Sequence, residues 1–174
     1  MAVIEAIATQ YLEADAASVT FSGIPATYQD LQLRMMIQGR RTDSTNTTEI
    51  RLNGDTASNY SGHAMYGTGS NQYGFGVAAH GYLGYSSVLY TPSGTKPRES
   101  YAVGIVDIAD YANTNKNKTV MINWGIDLVG YGFVGFVSGC WDSTAAVTSV
   151  SITINPTYDT GRGSSFTLYG LNSS

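Results

Sequence analysis

The sequence predicts an all-β fold, a two-sheet antiparallel β-sandwich of jelly-roll-like kind, on three observations. Short runs in which apolar and polar residues alternate recur along the chain, each long enough for a strand and separated by turn residues at about 8–12 residue spacing. No stretch shows a convincing apolar stripe at helical period. Charged residues make up only 13% of the 174 residues while Gly reaches 20 and Tyr 13, so the surface is built from hydroxyls, amides and aromatics. An immunoglobulin-like sandwich is the alternative topology. The length suits one domain, 1–174, with enough chain to bury a sizeable core, and no internal repeat or linker divides it.

Val3–Leu12 is the first extended segment; Glu5, Ala6 and Ala8 also favour helix, but no clean helical stripe accompanies them. Ser18–Phe21 is a short strand closed by Gly23-Ile24-Pro25, where the proline holds Ile24 extended. Tyr28–Gln38 alternates Leu31, Leu33, Met35 and Ile37 against Gln32, Arg34, Met36 and Gln38. Gly39–Thr48 has no apolar content and reads as an exposed loop. Glu49–Asn53 puts Ile50 and Leu52 inward and ends at Asn53-Gly54, both tolerant of positive φ. The Gly- and Tyr-rich segment Ser58–Tyr90 has poor periodicity, which predicts short strands near His63–Tyr66 and Leu83–Leu89 joined by a long ordered loop. Thr91–Ser100 is a second loop. Tyr101–Ile108 and Thr119–Trp124 are strands around an Asn- and Lys-rich connection, and Phe166–Tyr169 forms a last strand that must pair inside a sheet.

Phe133–Ile154 is the stretch around which the chain is expected to organise. Val134 and Phe136 point one way and Phe133, Val137 and Trp141 the other, so both faces are apolar and cover on both sides is expected. Val150, Ile152 and Ile154 alternate with Ser149, Ser151 and Thr153. Asp142-Ser143-Thr144 supplies turn chemistry between the runs, predicting a central antiparallel hairpin. The expected core includes Leu31, Leu33, Ile50, Leu52, Val120, Ile122, Val150, Ile152 and Phe166.

Several function classes lose support on composition. Net charge is −4 and no basic cluster exceeds Arg40-Arg41, which disfavours nucleic acid as a partner. No apolar run approaches a membrane span, and the start has no basic, apolar leader. The single Cys140 forms no internal disulfide, leaves too few thiols for zinc, and sits in an apolar strand that predicts a buried, inert thiol. His63 and His80 lie near no nucleophile elbow. Asp107 and Asp110 with Asn113, Asn115 and Asn117 offer oxygen ligands for calcium, but at no EF-hand spacing, and the default reading is a solvated loop. Acceptor patterns for N-glycosylation at Asn46, Asn59 and Asn117 are expected by chance in so Asn- and Thr-rich a chain. No catalytic residue, cofactor or metal site is assigned. The binding flavour lies in the Tyr/Gly segments, where Tyr60, Tyr66, Tyr73, Phe75, Tyr82 and Tyr85 are the candidate subunit or ligand contacts; tyrosine offers area at low entropic cost and a hydroxyl besides.

Four segments, SVTFSGIPATYQDLQLR at Ser18–Arg34, RLNGDTASNYS at Arg51–Ser61, GCWDSTAAVTSVSITI at Gly139–Ile154 and SSFTLYG at Ser164–Gly170, resemble small β-rich virion proteins and tail-fibre end domains of tailed bacteriophages, especially cyanophage-type ones. The resemblance implies a jelly-roll-like sandwich, a homotrimer, a place on the outer surface of the virion, and no catalytic residues. Because Met1 runs directly into the domain without a coiled-coil or collagen-like stalk, a capsid cement (decoration) protein bound to the major capsid protein or other virion proteins is the first expectation. Met1–Leu12 would then be either a first strand or a docking arm. A fibre module recognising a host-surface glycan is the second expectation, and a depolymerase a distant third.

Overall fold

The structure is a computed structural model and describes residues 3–40, 45–83, 91–92, 100–128, 130–154 and 158–172. Its strands are β1 (Ile4–Tyr11), β2 (Val19–Ser22), β3 (Asp30–Ile37), β4 (Thr45–Asn46), β5 (Thr48–Leu52), β6 (Tyr60–Gly67), β7 (Gln72–His80), β8 (Thr91–Pro92), β9 (Ala102–Ala109), β10 (Lys118–Asp127), β11 (Gly132–Trp141), β12 (Ser149–Ile154) and β13 (Ser165–Leu171). An eight-stranded sheet runs β1-β13-β3-β9-β10-β11-β6-β7, a three-stranded sheet runs β2-β12-β5, and β4 pairs with β8. Every pairing is antiparallel. The fold is the expected all-β sandwich, its strands divided eight against three.

One core lies between the sheets. Leu31 and Leu33 of β3, Val106 and Ile108 of β9, Val120 and Ile122 of β10, and Phe166 and Leu168 of β13 face Ile50, Leu52, Val150, Ile152 and Val19 of the small sheet, all essentially without solvent contact. Each inward set is the apolar half of a period-two run, and all nine residues expected in the core are there. β13 lies between β1 and β3, as an apolar final strand requires.

The Phe133–Ile154 stretch is not a hairpin. β11 pairs with β10 and β6 in the large sheet, whereas β12 pairs with β2 and β5 in the small one. The intervening residues 142–148 carry the chain across the core. Asn53 Oδ1 accepts the Thr148 and Ser149 amides at 2.8 and 3.1 Å, and the Val147 amide reaches Tyr111 O at 2.9 Å. Both strands have one strongly apolar face, and burying those faces against each other stacks the strands in opposite sheets rather than edge to edge.

Two further expectations change. Gly39–Thr48 is not wholly an exposed loop: Gly39 bridges to Thr160, and Asn46 and Thr48 are buried. In Ser58–Tyr90, β6 and β7 form one long hairpin where a long loop was expected; glycines at 62, 67, 74 and 76 break the apolar alternation, and the ladder shifts register only between Tyr60 and Gly62. The predicted strand Leu83–Leu89 lies largely outside the described residues. Ile4–Tyr11 is an edge strand paired along its length with β13, which is the first-strand alternative for that segment.

The two sheets are tied at one corner. Asn53 (φ 53°) and Gly54 (φ 66°) form the turn leaving β5, closed by the Asp55 amide to Leu52 O at 3.0 Å. Asp55 Oδ2 then accepts the Trp141 indole N–H at 2.7 Å and Asn59 Nδ2–H at 2.9 Å, while Oδ1 accepts the Ala57 N–H at 2.8 Å. Those donors hold the Asp55 carboxyl below the usual carboxylate range, the Trp141 bond contributing most. Opposite Trp141 in the β10–β11 ladder, Lys118 is fully buried and its ammonium donates to the carbonyls of Asn113, Lys116 and Thr144 at 2.7, 2.9 and 3.3 Å.

Two stability measurements check this architecture. Ile152→Ala removes a fully buried side chain of the small sheet and is expected to cost about 2–5 kcal/mol in urea unfolding. Asp55 is more acidic folded than unfolded, so its contribution is complete above pH 3.8 and is lost as pH falls through the lowered folded value. Asp55→Ala, which leaves the Trp141 indole N–H without its acceptor, is expected to cost about 1–3 kcal/mol at pH 7 and to flatten the acid limb of the stability curve.

Candidate functional site

The outward residues of the large sheet fall into cross-strand rows fixed by register. In one, Arg34, Ile105, Asn123, Phe136 and Met65 are successive partners across β3, β9, β10, β11 and β6. In the next, Met36, Val103, Gly125, Val134 and Gly67 follow one another across the same strands. The resulting surface carries Met36, Met65, Val103, Ile105, Met121, Val134 and Phe136, all exposed, with Val134 at 67%. Val134 stands between two glycines and is flanked by open hollows of about 600 and 400 Å³. The expected cover on both sides of Phe133–Val137 is therefore absent among the described residues: the inward parity is core, and the outward parity faces solvent.

One edge of this surface is polar. Arg34 Nε donates to Gln32 Oε1 at 2.7 Å, Gln32 Nε2 donates to Asp107 Oδ1 at 2.7 Å, and the Arg34 guanidinium lies 5.1 Å from the Tyr169 ring centre. Five strands at about 4.8 Å make the apolar part roughly 20 Å wide.

A second feature lies at one end of the same sheet, where the 68–71 turn of the β6–β7 hairpin comes beside Gly130 and Tyr131, which precede β11. Tyr66 stacks on Tyr73 at 4.8 Å and 18°, and lies 6.5 Å from Phe75, 6.5 Å from Trp124 and 6.2 Å from Phe133. Tyr131 meets Phe133 edge to face at 5.1 Å. Gly135 permits this density, since a Cβ there would stand 2.8 Å from the Met65 carbonyl and 2.9 Å from the Trp124 ring. Tyr66, Tyr73, Tyr131 and Phe133 share a hollow of about 490 Å³ with Thr68, Ser70, Asn71 and Gly130.

The six aromatic candidates thus separate. Tyr66, Tyr73 and Phe75 are brought into one cluster. Tyr82 sits elsewhere, 4.5 Å from the His80 ring and under the Arg51 guanidinium at 5.3 Å, with Arg51 paired to the buried Glu49 at 2.8 Å. Tyr85 lies outside the described residues. Tyr60 is not a contact residue: it is 1% exposed, stacked 6.4 Å from Trp141, with its hydroxyl accepting the Leu52 amide at 3.0 Å. It occupies an inward position of β6, and the core takes it. Tyr131 and Phe133 belong to the cluster but were not expected there; only the register of β11 with β6 brings them beside Tyr66.

The remaining sequence candidates do not converge. Asp107 engages Gln32, and Asp110 pairs with Lys116. No group of three or more His, Cys, Asp or Glu placed to hold a metal ion occurs among the described residues. His63 faces outward in register with Ser138 and Gly76. Cys140 is half-buried on the outward parity of β11 rather than in the core, and burial pushes its thiol up. No helix among the described residues is long and apolar enough to cross a membrane.

No protein family and no curated protein matches this sequence. Among solved structures, a galectin of Caenorhabditis elegans, LEC-6, is similar at a TM-score of 0.33 and 9% identity, over 95% of this chain and 96% of that one. A botulinum neurotoxin type C structure, whose cell entry is described as dependent on two ganglioside molecules, is similar at 0.26 and 9%, over 92% of this chain and 39% of that one. Overlap this slight carries no argument about function.

Burial pushes the Tyr60 phenol up to about 12. The raised value makes its contribution to stability complete below pH 10 and lost as pH rises from there through about 12. Tyr60→Phe is expected to lower stability at pH 7 by about 1–3 kcal/mol and to remove that alkaline slope, read by urea unfolding across pH.

Proposed function

We propose that the protein is a non-enzymatic virion surface protein of a tailed bacteriophage, a capsid cement (decoration) protein that stabilises the shell as a homotrimer, with the outward face of the eight-stranded sheet as the seam between subunits. The observation that supports this reading is the run of exposed apolar side chains across β3, β9, β10, β11 and β6, with Val134 and Phe136 the pair on β11. Monomeric soluble proteins rarely leave so broad a contiguous apolar patch in water. Subunit seams have an apolar centre and a polar margin, and the Arg34–Gln32–Asp107 chain provides such a margin on one side. The virion placement rests on the sequence resemblance. A cement protein needs broad, repeated contacts rather than a reactive constellation, and many weak contacts made by one trimer add through effective concentration.

Sedimentation velocity at micromolar concentration is expected to give a trimer for the unmodified protein. The double variant Val134→Asp, Phe136→Asp is expected to sediment as a monomer with an unchanged β-type far-ultraviolet spectrum. A monomeric unmodified protein would overturn the seam. Copies counted on purified particles are expected to be numerous and spread over the shell; confinement to the tail would replace cement with the fibre reading.

A further inference from the structure

We propose that the cleft between the 68–71 turn and Gly130-Tyr131 is a carbohydrate site that takes a single neutral pyranose residue. A pyranose presents a flat patch of C–H groups on one face and hydroxyls around its rim. A matching site needs an aromatic surface held still, with short uncharged donors and acceptors beside it.

The cleft supplies both. Tyr73 is 45% exposed, yet its ring is backed by Tyr66 at 4.8 Å and nearly parallel, so the platform is accessible without being free to rotate away. Tyr131, 46% exposed, is braced edge-on against Phe133 and forms a second aromatic wall. The hydroxyl and amide groups come from Thr68, Ser70 and Asn71. Their turn is fixed by the Thr68 amide to Asn71 O at 3.0 Å, the Asn71 amide to Thr68 Oγ1 at 3.3 Å, and Asn71 Nδ2 to Ser70 Oγ at 3.3 Å.

The lining selects among ligands. Among the described residues it contains no Lys, Arg, Asp or Glu, which favours a neutral sugar over a sialylated or phosphorylated one. The hollow of about 490 Å³ is bounded by the 68–71 turn and Gly130-Tyr131 at the end of a sheet, a compact shape suited to one ring rather than to an extended polyproline segment. The cleft lies apart from Met36, Val103 and Ile105, and it binds sugar whether or not the outward face is a subunit seam.

Saturation-transfer NMR of the full chain with the methyl glycosides of glucose, galactose, mannose and N-acetylglucosamine tests this. At least one is expected to receive saturation strongest at its C–H face, with a roughly millimolar Kd, typical of a small and mostly apolar contact. Tyr73→Ala and Tyr131→Ala are each expected to weaken it about tenfold, from loss of a ring contact. Tyr73→Phe, which keeps the ring, and Tyr11→Ala, an exposed tyrosine on the edge strand β1, are expected to leave binding within about threefold, the spread usual for such contacts. The Tyr73→Ala and Tyr131→Ala variants replace exposed side chains, and an unchanged melting temperature separates lost binding from lost fold. No transfer to any of the four glycosides, equal affinity in Tyr73→Ala, or binding of a proline-rich peptide in place of every glycoside would overturn the proposal.

Discussion

The contact between Asp55 and the Trp141 indole decides how the two sheets are joined. Trp141 is the last residue of β11 in the large sheet, and Asp55 lies in the turn that leaves β5 in the small one. The bond therefore fixes the separation of the sheets at the point where the chain passes from one to the other. Tyr60 fills the space beneath, stacked near Trp141 and bonded by its hydroxyl to the β5 backbone at Leu52. The Asn53 side chain, one turn residue earlier, receives the amides that start β12. A run of a few residues thus sets the exit of β5, the entry of β6, the end of β11 and the start of β12. The carboxylate bears its charge at low cost because three N–H donors replace water around it.

That corner also explains why the outward face of the large sheet differs in character from the rest of the surface. With every inward residue of β9, β10 and β11 committed to the core by the sandwich, the opposite parity of the same strands is the only place for Val103, Ile105, Met121, Val134 and Phe136. Apolar residues on both parities are the mark of a strand designed for cover on two sides. The chain itself supplies one of them.

Much of the fold was legible because it depends on period two. The alternations at Leu31–Ile37, Val120–Trp124 and Val150–Ile154 assign strand and facing together, and the Asn53-Gly54 turn needs nothing beyond the two residues. The false hairpin at Phe133–Ile154 came from a different kind of inference. Adjacent strands in sequence pair in most small sheets, but nothing local distinguishes a turn within a sheet from an arch between sheets. The discriminating contacts are the distant ones from Asn53 and Tyr111. The β6–β7 hairpin was obscured because glycine has no side chain to report a facing. At the candidate cleft, composition pointed to the right neighbourhood without sorting its tyrosines. Tyr60 and Tyr66 have the same parity on one strand; one is sealed beside Trp141, and the other reaches the open end of the sheet beside Tyr73.

The pairing of β1 with β13 places Ile4 opposite Leu171 and brings the Asn172 amide to Val3 O at 3.0 Å. β3, formed early in the chain, likewise finds one of its two neighbours only in β13. During synthesis, then, β1 and one side of β3 have no native partner until residues 165–171 have left the ribosome. Closing so long a loop carries a large entropic cost before any contact rewards it, and folding rates fall steeply with such separation. Between the emergence of β3 and that of β13 the nascent chain carries a strand with one edge unpaired, a period in which a chaperone or a neighbouring chain has its best opportunity to engage it.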